Sequence, residues 1–224
     1  MSHESPHVHT PRQERSRRTL ERLVEAARSL AAEEGMEAVT VARVVERADS
    51  SVGSFYARFD GKDDLLRYLE ERVWRTAAER WEEARESRDW DDLDLAGVVR
   101  SVVQFLVRIQ VEDAADRRAL GRGVPAGVLE GGAQRFHAGM EREIGGLVLQ
   151  HRAAVGHPDP ETAARVAYRW AVGGIRELLD PVGGTPPDPE TVSEEVTRGL
   201  TAYLGGGVAA SENPEGVEFF DVWQ

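Results

Sequence analysis

The chain has 224 residues, a formal net charge of −12, 41% hydrophobic residues and no cysteine. The hydrophobic content lies well above the disordered range. No apolar run reaches the roughly 18 residues of a membrane-spanning helix, and the lack of cysteine excludes a disulfide framework and Cys-based metal or redox chemistry.

The charge is unevenly spread. Residues 1–70 hold 11 Lys and Arg against 13 Asp and Glu, a net of −2, so −10 lies beyond them. Contact with nucleic acid is therefore expected only locally, from the first third. Arg12, Arg15, Arg17, Arg18 and Arg22 form the one basic block. A solvated basic face and a DNA-contacting arm are equally good readings of it.

Residues 1–10 are polar, contain Pro6, and read as a mobile tail. No apolar stretch follows their charges, so they are not expected to be a signal peptide, and the chain is expected to be cytoplasmic. His3, His7 and His9 lie in this tail without a carboxylate pattern, and no metal site is expected. Leu20, Leu23, Val24, Ala27, Leu30 and Ala31 then recur at helical spacing, up to a stop at Gly35. Thr40 is placed to cap a second helix, VARVVERA. After Asp49–Ser50 comes SSVGSFYARF, residues 50–59, a poor helix by propensity with a glycine inside it. A long helix follows from about 62 to 88, with Asp63 and Asp64 at its positive end.

The rest also follows a helical period. Residues 95–109 are apolar enough for a core helix. A short helix is expected near 114–120 and a long one from Pro125 to about 155, with proline in its first turn. HPDP is a turn leading into a helix from Pro160, PVGGTPPDP is a loop, and the last helix spans about 190–204. No stretch alternates as a strand does. The expected fold is all-α, with about nine helices in all. The expected organisation is a tail (1–10), a helix-turn-helix domain (11–61), a helical domain (62–205), and a linker with an acidic, aromatic tail, VEFFDVWQ (206–224).

The second and third helices, separated by a tight break, make a helix-turn-helix arrangement, whose later helix enters the DNA major groove. Phe55 and Phe59 share one face and are expected to hold that helix to the domain. Ser51, Gly53, Ser54 and Tyr56 then face outward, where small side chains allow close approach and hydroxyls reach phosphates or base edges. Lys62, at a helix start, suits a phosphate. By period alone Val52 is buried with Phe55.

These residues resemble the DNA-binding signature of the TetR/AcrR family of bacterial regulators. The match runs over roughly residues 18–70, through Gly35, Thr40, Ala48, Gly53, Ser54, Phe55, Tyr56, Phe59, Lys62 and Leu65 in order. The resemblance implies that Thr40, Tyr56 and Lys62 clamp phosphates. It implies that Val52, Gly53 and Ser54 face the groove, which reverses the periodic reading of Val52. Arg43 and Arg58 complete the DNA-contact candidates. Three positions depart from the pattern. Asp49 stands for the usual turn glycine, a geometry aspartate tolerates. Ser50 stands for a buried valine and is expected to cap the third helix. Gly61 stands for a polar cap, a role that passes to Asp60.

Beyond residue 70 the resemblance is one of layout, implying a ligand-binding and dimerisation domain. Trp81, Phe105, Arg108, Phe136, His137, Met140 and Trp170 are the ligand-binding candidates; for the aromatic ones the alternative is ordinary core packing. Gly173 and Gly174, inside an apolar helix, suggest close approach at a subunit interface with Leu200 and Tyr203, or else a kink. No HExxH, GxSxG or P-loop spacing occurs, and GRGVPAG has no strand before it, so neither a catalytic set nor a cofactor is expected. The expected function is a homodimeric repressor, released from a palindromic double-stranded DNA operator by a small apolar or aromatic effector, with no membrane association. The alternative is an all-helical small-molecule-binding protein or enzyme without DNA binding.

Overall fold

The computed structural model describes residues 11–112, 114, 131–181 and 184–206. Among them are eight α-helices and no strand. They are α1 (Pro11–Glu34), α2 (Val41–Arg47), α3 (Val52–Tyr56), α4 (Lys62–Glu86), α5 (Leu95–Glu112), α6 (Gly132–Gln150), α7 (Pro160–Leu179) and α8 (Pro189–Leu204). The helix expected near 114–120, the start of the one expected from Pro125, residues 1–10 and the VEFFDVWQ tail lie outside the described residues. The helix of residues 132–150 stops short of 155, its end tightening into a 3-10 turn at Arg152–Ala154. No described helix is long and apolar enough to cross a membrane.

The chain divides into two compact units. One takes the residues up to Glu82 with Glu112–His137; the other takes Glu83–Val111 and the residues from Ala138 onward. In the first, α1 turns its apolar stripe inward. Leu23, Val24, Ala27 and Leu30 pack with Val44 and Val45 of α2, Phe55 and Phe59, and Leu65, Leu66 and Leu69 of α4. Gly35 ends α1 at φ 87°, a left-handed geometry suited to glycine, and its N–H reaches Ala31 O at 3.0 Å. The start of α6 also belongs to this unit. A Cβ on Gly132 would stand 2.9 Å from Trp74 Cδ1, so only glycine allows that approach to α4. Glu70, buried on α4, accepts from Ala133 N–H at 3.3 Å, where a helix start favours a carboxylate.

The second unit is built on α5, whose Val98, Val99, Val102, Val103 and Leu106 are all buried. Its last two helices pack on each other and start in the same way. Asp159 Oδ1 accepts from Glu161 and Thr162 N–H, both at 3.1 Å, and Asp188 Oδ1 from Glu190 and Thr191 N–H, both at 3.0 Å. Proline follows each cap, where its missing N–H costs nothing. The α7 helix continues unbroken through Gly173 and Gly174.

These caps make stability depend on pH. Hydrogen bonds from Thr162 and Thr191, side chain first and then backbone, hold the Asp159 and Asp188 carboxyls below their usual range. A depressed native pKa stabilises the fold above the usual aspartate range, near ~4, and that stabilisation is lost as pH falls through the native value. Asparagine caps as well as aspartate but does not titrate. The melting temperature of the Asp159→Asn, Asp188→Asn double variant should therefore fall less steeply than wild type between neutral and acid pH. Parallel curves would show that the caps do not carry the effect.

Candidate nucleic-acid interface

The break between α2 and α3 has the hydrogen bonds of a Schellman turn. Asp49 N–H reaches Glu46 O at 3.1 Å and Ser50 N–H reaches Val45 O at 2.9 Å. Asp49 takes the left-handed position, with φ 45°. Aspartate replaces glycine there at a strain cost of about 1 kcal/mol. Arg22 of α1 secures the turn, donating to Asp49 O at 3.1 Å with its guanidinium 3.8 Å from the carboxylate. This role of Arg22 was not legible in the sequence, which shows it only as one of a basic cluster.

The cap of α3 is Ser51, not Ser50. Ser51 Oγ accepts from Ser54 N–H at 3.1 Å. Ser50 is the residue after the left-handed position, so its N–H is spent closing the turn and the helix begins one residue later. At α4 the expected cap is also corrected. Asp64 reaches back to accept from Asp60 N–H at 3.2 Å, so the carboxylate inside the helix binds the preceding backbone.

Helix α3 is only five residues long. Phe55 is fully buried and lies edge-on to Tyr56, with ring centres 5.4 Å apart; Phe59 packs beside it at 5.4 Å. Val52 (51% exposed), Gly53 and Tyr56 (56% exposed) face outward. Val52 is thus exposed, against the periodic reading. Ser54 is half-buried, and its Oγ accepts from Ser51 Oγ at 3.0 Å. A Cβ on Gly53 would meet only Ser51 Oγ, at 3.9 Å, so nothing inside the chain requires glycine there. The space it leaves faces outward.

The cations divide into two groups. Arg43 is held by Glu34 at 2.5 Å and Arg47 by Glu33 at 2.7 Å; the Arg43 hydrogen bond keeps the Glu34 carboxyl below its usual range. Arg43 therefore sits in an ion pair with α1 rather than standing free beside α3. Arg58 and Lys62 instead donate to carbonyls: Arg58 to Ser54 O at 2.7 Å and Ser16 O at 3.1 Å, Lys62 to Met36 O at 2.8 Å. Thr40 caps α2, accepting from Arg43 N–H at 3.3 Å, and its own hydroxyl proton remains available.

The ligand candidates are divided between the two units. Trp81, Phe136 and His137 belong to the first unit, where Phe136 and His137 pack on Trp74 at 5.2 and 5.3 Å. Phe105 and Met140 are buried in the second. Arg108 is exposed and Trp170 is 57% exposed, so neither points into a pocket of its unit. Two described hollows lie in the second unit. An apolar cavity of about 20 Å³ between Val102, Ile144, Ala167 and Leu204 has room for little more than one water. An open groove of about 980 Å³ runs between α5 and α8 past Arg100, Gln104, Thr197 and Thr201. No ligand candidate lines either.

Of the interface candidates, Leu200 is buried within its unit and lines the apolar cavity. Tyr203 is half-buried and packs on Trp170, ring centres 4.8 Å apart. A Cβ on Gly173 or Gly174 meets nothing within 4 Å, so neither glycine serves close approach inside the chain.

Residues 23–69 match the family profile of the bacterial regulatory proteins of the tetR family. Among curated proteins, no sequence relative matches the chain. Solved structures share the fold. A bacterial regulatory protein in the tetR family from Rhodococcus RHA1 is 17% identical, with a TM-score of 0.61, covering 84% of this chain and 97% of its own. A TetR/AcrR-family transcriptional regulator from Thermobifida fusca is 18% identical, with a TM-score of 0.62, covering 83% of this chain and 96% of its own. The fatty acid degradation regulator FadR from Bacillus halodurans is 14% identical, with a TM-score of 0.60, covering 91% and 98%.

The strain at Asp49 can be measured. Asp49→Gly should leave urea unfolding unchanged or raise stability by up to about 1 kcal/mol, since glycine takes the left-handed geometry freely. Asp49→Val should lower it by about that much or more. Equal midpoints for the two variants would mean that the turn is unstrained.

Proposed function

We propose that the chain, whose residues 23–69 match the tetR-family profile, is a DNA-binding regulator of the TetR/AcrR type: a homodimeric repressor, released from its operator by a small molecule. The observation that carries this reading is the outward set on α3. A short helix is anchored through Phe55 and presents Val52, Gly53 and Tyr56. In this reading α3 enters the major groove. Val52 meets a thymine methyl, Gly53 admits close approach, and Ser51 and Ser54 lie along the base edges. Tyr56 and Thr40 give their hydroxyl protons to phosphates. Lys62 does so by exchanging its carbonyl partner for a phosphate. Arg43 can reach DNA only by leaving Glu34, which makes it the weakest member of the set.

The dimer face is proposed on α7 and α8, around Trp170, Gly173, Gly174 and Tyr203. What supports it is an exposed tryptophan, packed on Tyr203, beside glycines that no contact inside the chain requires. Two copies of α3 would then read a palindromic site about one helical turn apart. An apolar or aromatic effector would act by binding two conformers unequally. Phe105, Phe136, His137, Met140 and Trp81 are the candidates that remain for it. The site of action would be the cytoplasm.

Binding to random duplex DNA should weaken linearly on a log–log salt plot, by about 0.9 units of slope per phosphate neutralised. A duplex can be selected from a randomised pool with the wild-type protein. Tyr56→Phe should bind it about tenfold or more weakly, as expected when a hydrogen bond to a charged group is lost. A flat salt plot would favour the enzyme or carrier alternative, and an unchanged Tyr56→Phe affinity would remove the phosphate role. For the dimer face, light scattering should show Trp170→Glu shifted from dimer to monomer. A variant that stays dimeric would place the interface elsewhere.

A further inference from the structure

We propose that Arg58 is the positioning residue of α3, acting through its hold on two helices rather than through a phosphate. This rests on the DNA-binding reading above. A helix of five residues has almost no stability of its own. Phe55 fixes how deep α3 sits, and Ser51 closes its start. The end of α3 needs another partner. Arg58 N–H bonds Phe55 O at 2.9 Å, three residues back, which leaves Ser54 O without its usual backbone donor. The Arg58 side chain takes that place, with Nη1 donating to Ser54 O at 2.7 Å. Its Nη2 donates to Ser16 O at 3.1 Å and Ser16 Oγ at 3.0 Å, on α1, 42 residues earlier in the chain. One planar guanidinium thus joins the end of α3 to α1.

The neighbouring arginines behave differently. Arg17, Arg18, Arg22, Arg43 and Arg47 all lie within ion-pair distance of carboxylates. The contacts of Arg58 are instead two carbonyls and a hydroxyl, which constrain direction more than charge. A lysine keeps the charge, but its single ammonium lacks the fork that spans both groups. The rotation of α3 about its own axis decides whether Val52, Gly53 and Tyr56 share the outward face. Arg58 sets that rotation, and so sets discrimination between sequences rather than general affinity.

The test uses the full chain, well below each variant's melting temperature, with the selected duplex and a scrambled one. Arg58→Lys should lose about tenfold in the ratio of the two affinities, with the salt slope unchanged. Ser16→Ala should lower the ratio by about two- to threefold in wild type and change nothing further in the Arg58→Lys background. A phosphate contact predicts the opposite. Arg58→Lys would then keep the ratio, and Arg58→Ala would cut the slope by about 0.9. A merely stabilising role predicts equal loss on both duplexes. Either result overturns the proposal. If Arg58→Lys does not fold, an unchanged ratio in Ser16→Ala overturns it alone. A wild-type protein that shows no preference for any duplex would overturn the DNA-binding reading itself, and this proposal with it.

Discussion

Phe55 has no exposed surface, and the arrangement around α3 follows from that burial. A helix of five residues cannot hold itself together in water. Its free energy comes from packing one ring into a core shared by α1, α2 and α4. With that ring buried, Tyr56, the next residue, points to solvent. Val52 is exposed with it, although the helical repeat places it on the Phe55 side, and Gly53 lies between them. The surrounding devices serve the same end. The Schellman turn delivers the chain at the right angle, Ser51 closes the first turn, and Arg58 closes the last.

Electrostatics around this helix are local. The chain is acidic, and the arginines of α1 and α2 are largely matched by carboxylates on the same helices or their neighbours. Each such exposed pair contributes little stability. Their larger effect is to remove loose positive charge from the sides of the unit. Arg58 and Lys62, beside α3, instead bond to carbonyls, and so keep their charge while their direction is fixed. Lys62 is thereby left as the ordered cation for an anion approaching α3, while Arg58 is engaged in holding the helix, in a protein whose total charge would repel that anion.

Much of this was legible in the sequence, for identifiable reasons. Helical period placed Leu23, Val24, Ala27 and Leu30 in the core, because an amphipathic stripe has only one stable way to face. Gly35 and Thr40 marked a stop and a start, because their side chains suit those backbone positions. Period misassigned Val52, since on so short a helix one deeply buried ring outweighs the stripe. Ser50 and Ser51 are chemically equivalent caps, and only the register of the turn chose between them. In the second unit, aromatic residues gave no way to separate core from cavity. Trp170 proved exposed and Leu200 buried, because a side chain's surroundings there depend on how α7 and α8 rotate against each other.

The sequence by itself determined the all-helical class, the main helix boundaries and the helix-turn-helix, since these rest on period, caps and short-range spacing. Only the tertiary structure decided how the cations are used. Arg22 meets Asp49 across 27 residues and Arg58 meets Ser16 across 42. No local pattern encodes such partners, because they come together only after α1 has packed against α2 and α3. For the same reason Arg43, which looks free in the sequence, is held by Glu34 in the folded protein.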